Sequence, residues 1–408
     1  MKQIDGGLCA PQGFKAGGVW CGIRKKNDKR DLALIVSDRP CTAAGMYTTN
    51  KVKAASVLVS REHLAASRCQ AIICNSGNAN ACTGEAGLDA ARRMARAAAT
   101  ALGIEPILVA VGSTGVIGVP LPVERVESAM PELIKSLSAD YQGHSAALEA
   151  MMTTDTRKKE TAIEFELDGK PVRIGAAAKG AGMIHPNMAT MLSFITTDAA
   201  IAPPLLDSAL RLAVRRSFNR VTVDGDTSTN DMVLILANGK AGNPPIEKDD
   251  ANYLRFCAAL EQVCINLARA IARDGEGATR LVTCTVSGAR DEETAETLAK
   301  AVVSSSLVKA ACFGADANWG RILCAMGYSG ADFEPETVSV RFRSGAGEVP
   351  VCKNGASIPF SEELAKSVLS QEEIEIIIDL KDSGKASATC WGCDLTYDYV
   401  KINGDYRS

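Results

Sequence analysis

Four short runs of the 408-residue chain concentrate small, hydroxyl and glycine residues: NSGNANACTG (75–84), GSTGVIG (112–118), KGAGMIHPNMATMLSFITTDA (179–199) and DGDTSTND (224–231). Such runs make turns. They also expose backbone N–H groups, which stabilise an oxyanion when aimed at one point. The chain has only three histidines, His63, His144 and His185, in unrelated contexts. A histidine-based triad or multi-histidine metal site is therefore a poor starting point. Thr190, following Ala189 and opening the run TMLSFI, needs no function as a β-branched residue at a strand start. If the bond before it were cut, it would carry a hydroxyl and a free α-amine of pKa roughly 7.7–8.0, nucleophile and base in one residue. That pairing removes the need for histidine.

Other chemistries find less support. No GxxxxGK[ST] is present, and neither GSTGVIG nor DGEGATR (274–280) has the GxGxxG spacing of a dinucleotide loop. Asp226, Asn230 and Asp231 form an oxygen-rich loop, but the spacing is not that of an EF-hand, and a hydrogen-bonded turn is the better reading. Cys390 and Cys393 in CWGC have redox or half-zinc spacing without a second such pair, so they read as structural thiols. The 45 basic and 48 acidic residues are interspersed, giving a net charge of -3 and no field that would draw nucleic acid. No stretch approaches the roughly 18 apolar residues of a membrane span, and the N-terminus has no apolar signal region. With 14 cysteines read as reduced, the expected compartment is the cytoplasm.

These runs need elements to hold them. Residues 31–37, 55–60, 70–75 and 106–111 are short, apolar and β-branched and predict strands. The Ala- and Arg-rich stretch 87–103, with Gly103 at its end, predicts a helix. The Asp-Gly pair in ELDGKPV (166–172) predicts a tight hairpin leading into the 179–199 run. Further helices are expected near 204–217, 250–273, 291–304 and 361–369, and strands near 231–237, 280–287, 337–343, 372–380 and 386–391. The length suggests two domains or layered halves. The mixed order of elements predicts an α/β (α+β) protein with two mixed halves, its packed sheets covered by helices, rather than a doubly wound nucleotide fold.

KGAGMIHPNMATMLSFITTDA closely resembles the ornithine acetyltransferase family, the bifunctional glutamate N-acetyltransferases of arginine biosynthesis. The resemblance spans the chain through GFKAGGVWCGI, DLALIVSD, AAGMYTTNKVKAASV, NSGNANACTG, GSTGVIG, MTTDT, TVDGDTSTND, DGEGATR, FGADANWGRI and YVKINGDYRS. It implies a self-cleaving, N-terminal-nucleophile-like enzyme that cuts between Ala189 and Thr190, leaving an α chain (1–189) and a β chain (190–408) associated, two of each in a heterotetramer. It further implies that Thr190 carries the acetyl group from N2-acetylornithine to glutamate as an ester, with Thr114 and Gly115 as the oxyanion hole. By the same resemblance, Thr153, Lys179, Thr190, Glu276, Asn403 and Ser408 contact substrate, and no metal or cofactor is needed. Acetyl-CoA is a further donor in bifunctional members, though no separate CoA signature is visible here. Lys179 suits the α-carboxylate shared by both substrates and Glu276 the ornithine ammonium. Two alternatives stay open at this point: a self-cleaving hydrolase or aminopeptidase using the same nucleophile, and a non-catalytic binding protein.

Overall fold

A computed structural model describes residues 1–25, 29–185, 191–381 and 384–404. The chain divides into two compact units. Among the described residues, the first holds Met1–Asn219 and Asp226–Leu267, the second Arg220–Gly225 and the residues from Ala268 onward. His185 and Met191, on either side of the expected cut, both belong to the first unit, so the expected α and β chains do not follow the division into units.

The first unit is built on a mixed sheet of nine strands among the described residues. The expected hairpin joins Lys159–Leu167 to Lys170–Lys179. Asp168 and Gly169 both have positive φ (47° and 73°), as a two-residue turn matching the strand twist requires. Lys170–Lys179 then pairs antiparallel with Leu192–Thr197, which runs parallel to Met232–Ala237. The long strand Leu32–Tyr47 comes next, followed by Arg68–Asn75 and, at the edge, Val109–Ser113.

Both faces of this sheet are covered, which is why its strands read as nearly continuous apolar runs. Leu34, Ile73 and Val111 pack with Met94, Ala95 and Ala98 of the helix Gly84–Leu102 and with Val126 and Leu133 of the helix Val123–Lys135. Ile35, Ile72 and Ala110, one residue out of phase, pack on the other side with Leu148 and Met151 of the helix Tyr141–Met151. The expected Ala-rich helix ends as read, with Gly103 at φ 69°.

One expected strand, 55–60, is instead the start of the helix Ala55–His63. Its β-branched residues suggested a strand, but tertiary contacts override that weak propensity. Ser60 Oγ donates to Val111 O and accepts from Val111 N, both at 2.7 Å, and His63 Nδ1 lies 2.7 Å from Val109 O. The helix thereby satisfies backbone groups that the edge strand would otherwise bury unpaired. The second correction is at 106–111, where Pro106–Leu108 is a single 3-10 turn and the strand starts at Val109.

The second unit holds a six-stranded sheet with Leu281–Ala289 between Glu373–Asp379, parallel to it, and Ala386–Cys393, antiparallel. Helices Glu292–Ser304, Ser306–Phe313, Trp319–Gly327 and Glu362–Leu369 contribute to one core with it. Asp291, Ser305, Asn318 and Ser361 cap their N-termini by accepting from backbone N–H groups. Each unit is thus the expected mixture of sheet and covering helices. Among the described residues no helix is long and apolar enough to cross a membrane.

Candidate active site

In the first unit, the runs 75–84 and 112–118 are laced together at the ends of two parallel strands. Ser113 Oγ donates to Asn75 Oδ1 (2.7 Å), Thr114 N donates to Asn75 O (3.0 Å), and Ala79 N donates to Val116 O (2.9 Å). Asn230, from the 224–231 run, clamps both: its Nδ2 donates to Ala79 O (2.6 Å) and Ser113 O (2.8 Å). Gly115 sits at φ 137°, and a Cβ there would lie 2.3 Å from the Gly77 carbonyl carbon. Only glycine fits so close an approach. Because the Thr114 N–H is engaged by Asn75, the donor this residue can offer a ligand is its hydroxyl.

That hydroxyl is oriented by Lys179, whose Nζ donates to Thr114 Oγ1 at 3.2 Å. Accepting from an ammonium leaves the Thr114 proton to point elsewhere. Lys179 is the last residue of its strand and only 5% exposed, a burial that lysine tolerates when compensated. The compensation comes through Asp155, itself buried. Its Oδ1 accepts from Lys159 Nζ (2.6 Å) and Gly180 N (2.7 Å), and its Oδ2 from Thr153 N (2.9 Å). Burial opposes the charge on Asp155, but the Lys159 and Lys179 ammoniums and the Gly180 N–H overcome it and hold the carboxyl well below its usual range. One aspartate thus fixes Thr153 and the segment just after Lys179.

Asp231 is the opposite case. It is buried, and neither carboxylate oxygen finds a hydrogen-bond partner among the described residues. Desolvation lifts its pKa well above the ordinary carboxylate value, with the Met191 N–H, the Lys179 charge and the Ser228 and Thr48 hydroxyls near it, none in good hydrogen-bonding geometry, acting the other way. Two lysine cations thus act on the single Asp155 carboxylate, and Lys179 also bears on Asp231.

In the second unit, Asn403 Nδ2 donates to Glu276 Oε2 at 2.8 Å. The DGEGATR loop carrying Glu276 is held by Asp394, which accepts from Thr279 N (2.8 Å) and Arg280 N (3.0 Å). Thr396 Oγ1 donates to Gly277 O (2.7 Å). A Cβ on Gly277 would come within 2.5 Å of Tyr399 N, so the helix Tyr397–Asn403 packs directly on this loop.

The candidate residues therefore form two groups: Thr114, Gly115, Thr153 and Lys179 in the first unit, Glu276 and Asn403 in the second. Ala189, Thr190 and Ser408 lie outside the described residues. Sequence reasoning missed Asp155 and Lys159, although Asp155 stands in the same MTTDT run as Thr153. Asn230, weighed as a metal ligand, turns its amide donor towards two carbonyls, which suits the turn reading. The CWGC cysteines are three apart on one strand, so they face opposite sides of the sheet. Both are buried, and burial pushes the Cys390 thiol up to about 12.

A mixed α/β protein that gathers backbone donors, an oriented hydroxyl and a buried lysine at adjoining strand ends has the equipment to hold a carboxylate and polarise a neighbouring carbonyl. The ArgJ family model matches residues 15–408, and the chain belongs to that family. It is 53% identical over 409 residues to the arginine biosynthesis bifunctional protein ArgJ of Symbiobacterium thermophilum, covering 100% of both chains. The corresponding protein of Caldanaerobacter subterraneus is 50% identical over 408 residues, again with full coverage of both. A crystal structure of the bifunctional protein argJ of Bacillus halodurans aligns with TM-score 0.50 and 46% identity, covering 53% of this chain and 100% of that one.

Proposed function

We propose that this chain is a glutamate N-acetyltransferase of arginine biosynthesis. It moves the acetyl group of N2-acetylornithine to glutamate, giving ornithine and N-acetylglutamate, and also acetylates glutamate from acetyl-CoA, as the word bifunctional in its relatives' names suggests. Family membership over residues 15–408 carries the reading. The hydrogen bond from Lys179 to the Thr114 hydroxyl supports it, because it joins the proposed carboxylate anchor to the proposed oxyanion hole.

In this reading the Thr190 hydroxyl attacks the Ala189 carbonyl, and water hydrolyses the resulting ester. The freed Thr190 then uses its own α-amine as base and carries the acetyl group between the two substrates. The Thr114 hydroxyl and Gly115 N–H meet the oxyanion, Lys179 and Thr153 hold the donor, and Glu276, Asn403 and Ser408 complete substrate recognition. Two α and two β chains working in the cytoplasm, without a metal or cofactor, complete the proposal.

The test is the denatured mass of freshly purified protein beside Thr190→Ala, followed by acetyl transfer to glutamate. Two fragments meeting at 189/190 in the wild type, one full-length inactive chain in the variant, and acetylglutamate as product are expected. An uncut, folded wild type overturns the threonine mechanism, and release of acetate in place of acetylglutamate overturns the transferase.

A further inference from the structure

In the second unit, the DGEGATR loop and the helix Tyr397–Asn403 are joined by a closed ring of hydrogen bonds. At one end, Asn403 Nδ2 gives one proton to Glu276 Oε2 (2.8 Å) and the other to Tyr399 O (3.1 Å), one turn back in its own helix. At the other end, Thr396 Oγ1 donates to Gly277 O (2.7 Å) and accepts from Tyr399 N (3.3 Å). Glu276 and Gly277 share a peptide bond, so the ring closes within residues 276–277 and 396–403.

Thr396 serves both elements at once. An N-cap hydroxyl need only accept from the first turn of its helix, as Thr396 does for Tyr397–Asn403. Accepting leaves the hydroxyl proton unused, and here that proton goes to a carbonyl of the loop that carries Glu276. Because the Asn403 amide is folded back onto its own helix, the hydroxyl that seats the helix also sets where this amide meets the Glu276 carboxylate. Thr396 is buried, so water does not readily replace either bond when the hydroxyl is lost. The rest of the loop has a separate anchor in Asp394, which keeps hold of Thr279 and Arg280 without help from Thr396.

We propose that Thr396 is a positioning residue for the acetylornithine substrate, acting through Asn403 on the Glu276 carboxylate; the inference rests on the reading that Glu276 receives the ornithine side-chain ammonium. With Oε2 engaged by Asn403, the carboxylate is held in one orientation and Oε1 remains to accept from an ammonium. Without the Thr396 hydroxyl the helix is free to shift against the loop, the carboxylate turns, and the ammonium loses part of its charge-assisted hydrogen bond. The acetyl group is carried on the α-nitrogen, at the other end of the donor from this ammonium. Loss of the hydroxyl therefore weakens binding of acetylornithine and leaves the transfer step itself intact.

The experiment measures KM and kcat for acetylornithine, with glutamate as acceptor, on protein purified from expression of the full chain. The set is wild type, Thr396→Val, Thr396→Ser, Glu276→Gln and the double variant Thr396→Val with Glu276→Gln. Thr396→Val is expected to raise KM about 3- to 10-fold, the scale of one lost hydrogen bond, with kcat within about twofold of wild type. Thr396→Ser, which keeps the hydroxyl, should restore the wild-type KM. In the Glu276→Gln background Thr396→Val should add less than about twofold, because a residue acting through Glu276 then has nothing left to position. With Glu276→Gln impaired, an unchanged KM in Thr396→Val, a Ser variant as weak as Val, or the same factor in both backgrounds overturns the proposal while the Glu276 reading stands. If Glu276→Gln itself leaves KM unchanged, the Glu276 reading fails and the proposal with it. Should Thr396→Val not fold, Thr396→Ala is compared with Thr396→Ser, a pair that differs only in the hydroxyl.

Discussion

Asp155 and Asp231 are both buried acids within the field of Lys179, and they are treated oppositely. Asp155 has a lysine partner, two backbone N–H donors and a lowered pKa. Asp231 has no hydrogen-bond partner among the described residues and a raised one. Burial is common to both, so what separates them is how many donors reach the oxygens. Fixed charge at Asp155 serves a scaffolding task, holding Thr153 and Gly180 in place. At Asp231 burial outweighs the weaker interactions around it, so the acid form is favoured more than in water.

The largest expected effect is at the scaffolding acid. Asp155→Asn leaves the buried Lys159 without its counter-charge, and breaking such a pair costs about 3–5 kcal/mol. Made in the Thr190→Ala background, so that every sample is one uncut chain, it should lower the denaturation midpoint strongly at neutral pH. A change below about 1 kcal/mol would show that Asp155 is not the anchor its geometry implies. The wild-type contribution of Asp155 is present above the unfolded pKa of about 3.9 and is lost as pH falls through its lower folded value.

Asp231→Asn in the same background should show the opposite slope. An acid with a raised folded pKa binds its proton more tightly when folded, so its contribution to stability declines as pH rises from about 4 towards that folded value. Removing the acid removes this decline. The variant should gain on its parent by up to about 1.4 kcal/mol per pH unit over that window. Denaturant midpoints at several pH values check this, and parallel curves for the two proteins would place Asp231 with Asp155 as an ionised group.

The smallest effect on stability is expected at the lysine between them. Lys179→Met retains the apolar stem and leaves Asp155 paired with Lys159, so stability should shift by less than about 1 kcal/mol. Losing a charge-assisted hydrogen bond to a substrate carboxylate, worth about 1.5–3 kcal/mol, should raise KM for acetylornithine by roughly 10- to 100-fold. An unchanged KM would remove Lys179 from substrate binding.

Much of the fold was legible in the sequence because local signals and tertiary demands agree there. The Asp168–Gly169 turn, the alanine-rich helix Gly84–Leu102 and the strands Met232–Ala237 and Glu373–Asp379 all fall where pattern and turn chemistry put them. Residues 55–60 failed because their value to the protein lies in a distant contact, the Ser60 hydroxyl on the Val111 backbone, which no local pattern records. The helices Val123–Lys135 and Tyr141–Met151, both ahead of the MTTDT run, were missed, with Pro131 inside the first masking its helical pattern.

For the site, residue type alone determined that Thr190 with a freed amine could act without histidine, and the quoted motifs determined which other residues to bring to it. Tertiary structure alone decided that Thr114 offers its hydroxyl rather than its N–H, that Lys159 is buried to serve Asp155, and that the Asp155 carboxyl is held below its ordinary pKa while that of Asp231 is raised above it. The reason is that a side chain's identity sets which protons it can hold, whereas the donors and charges folded around it set which of them it keeps.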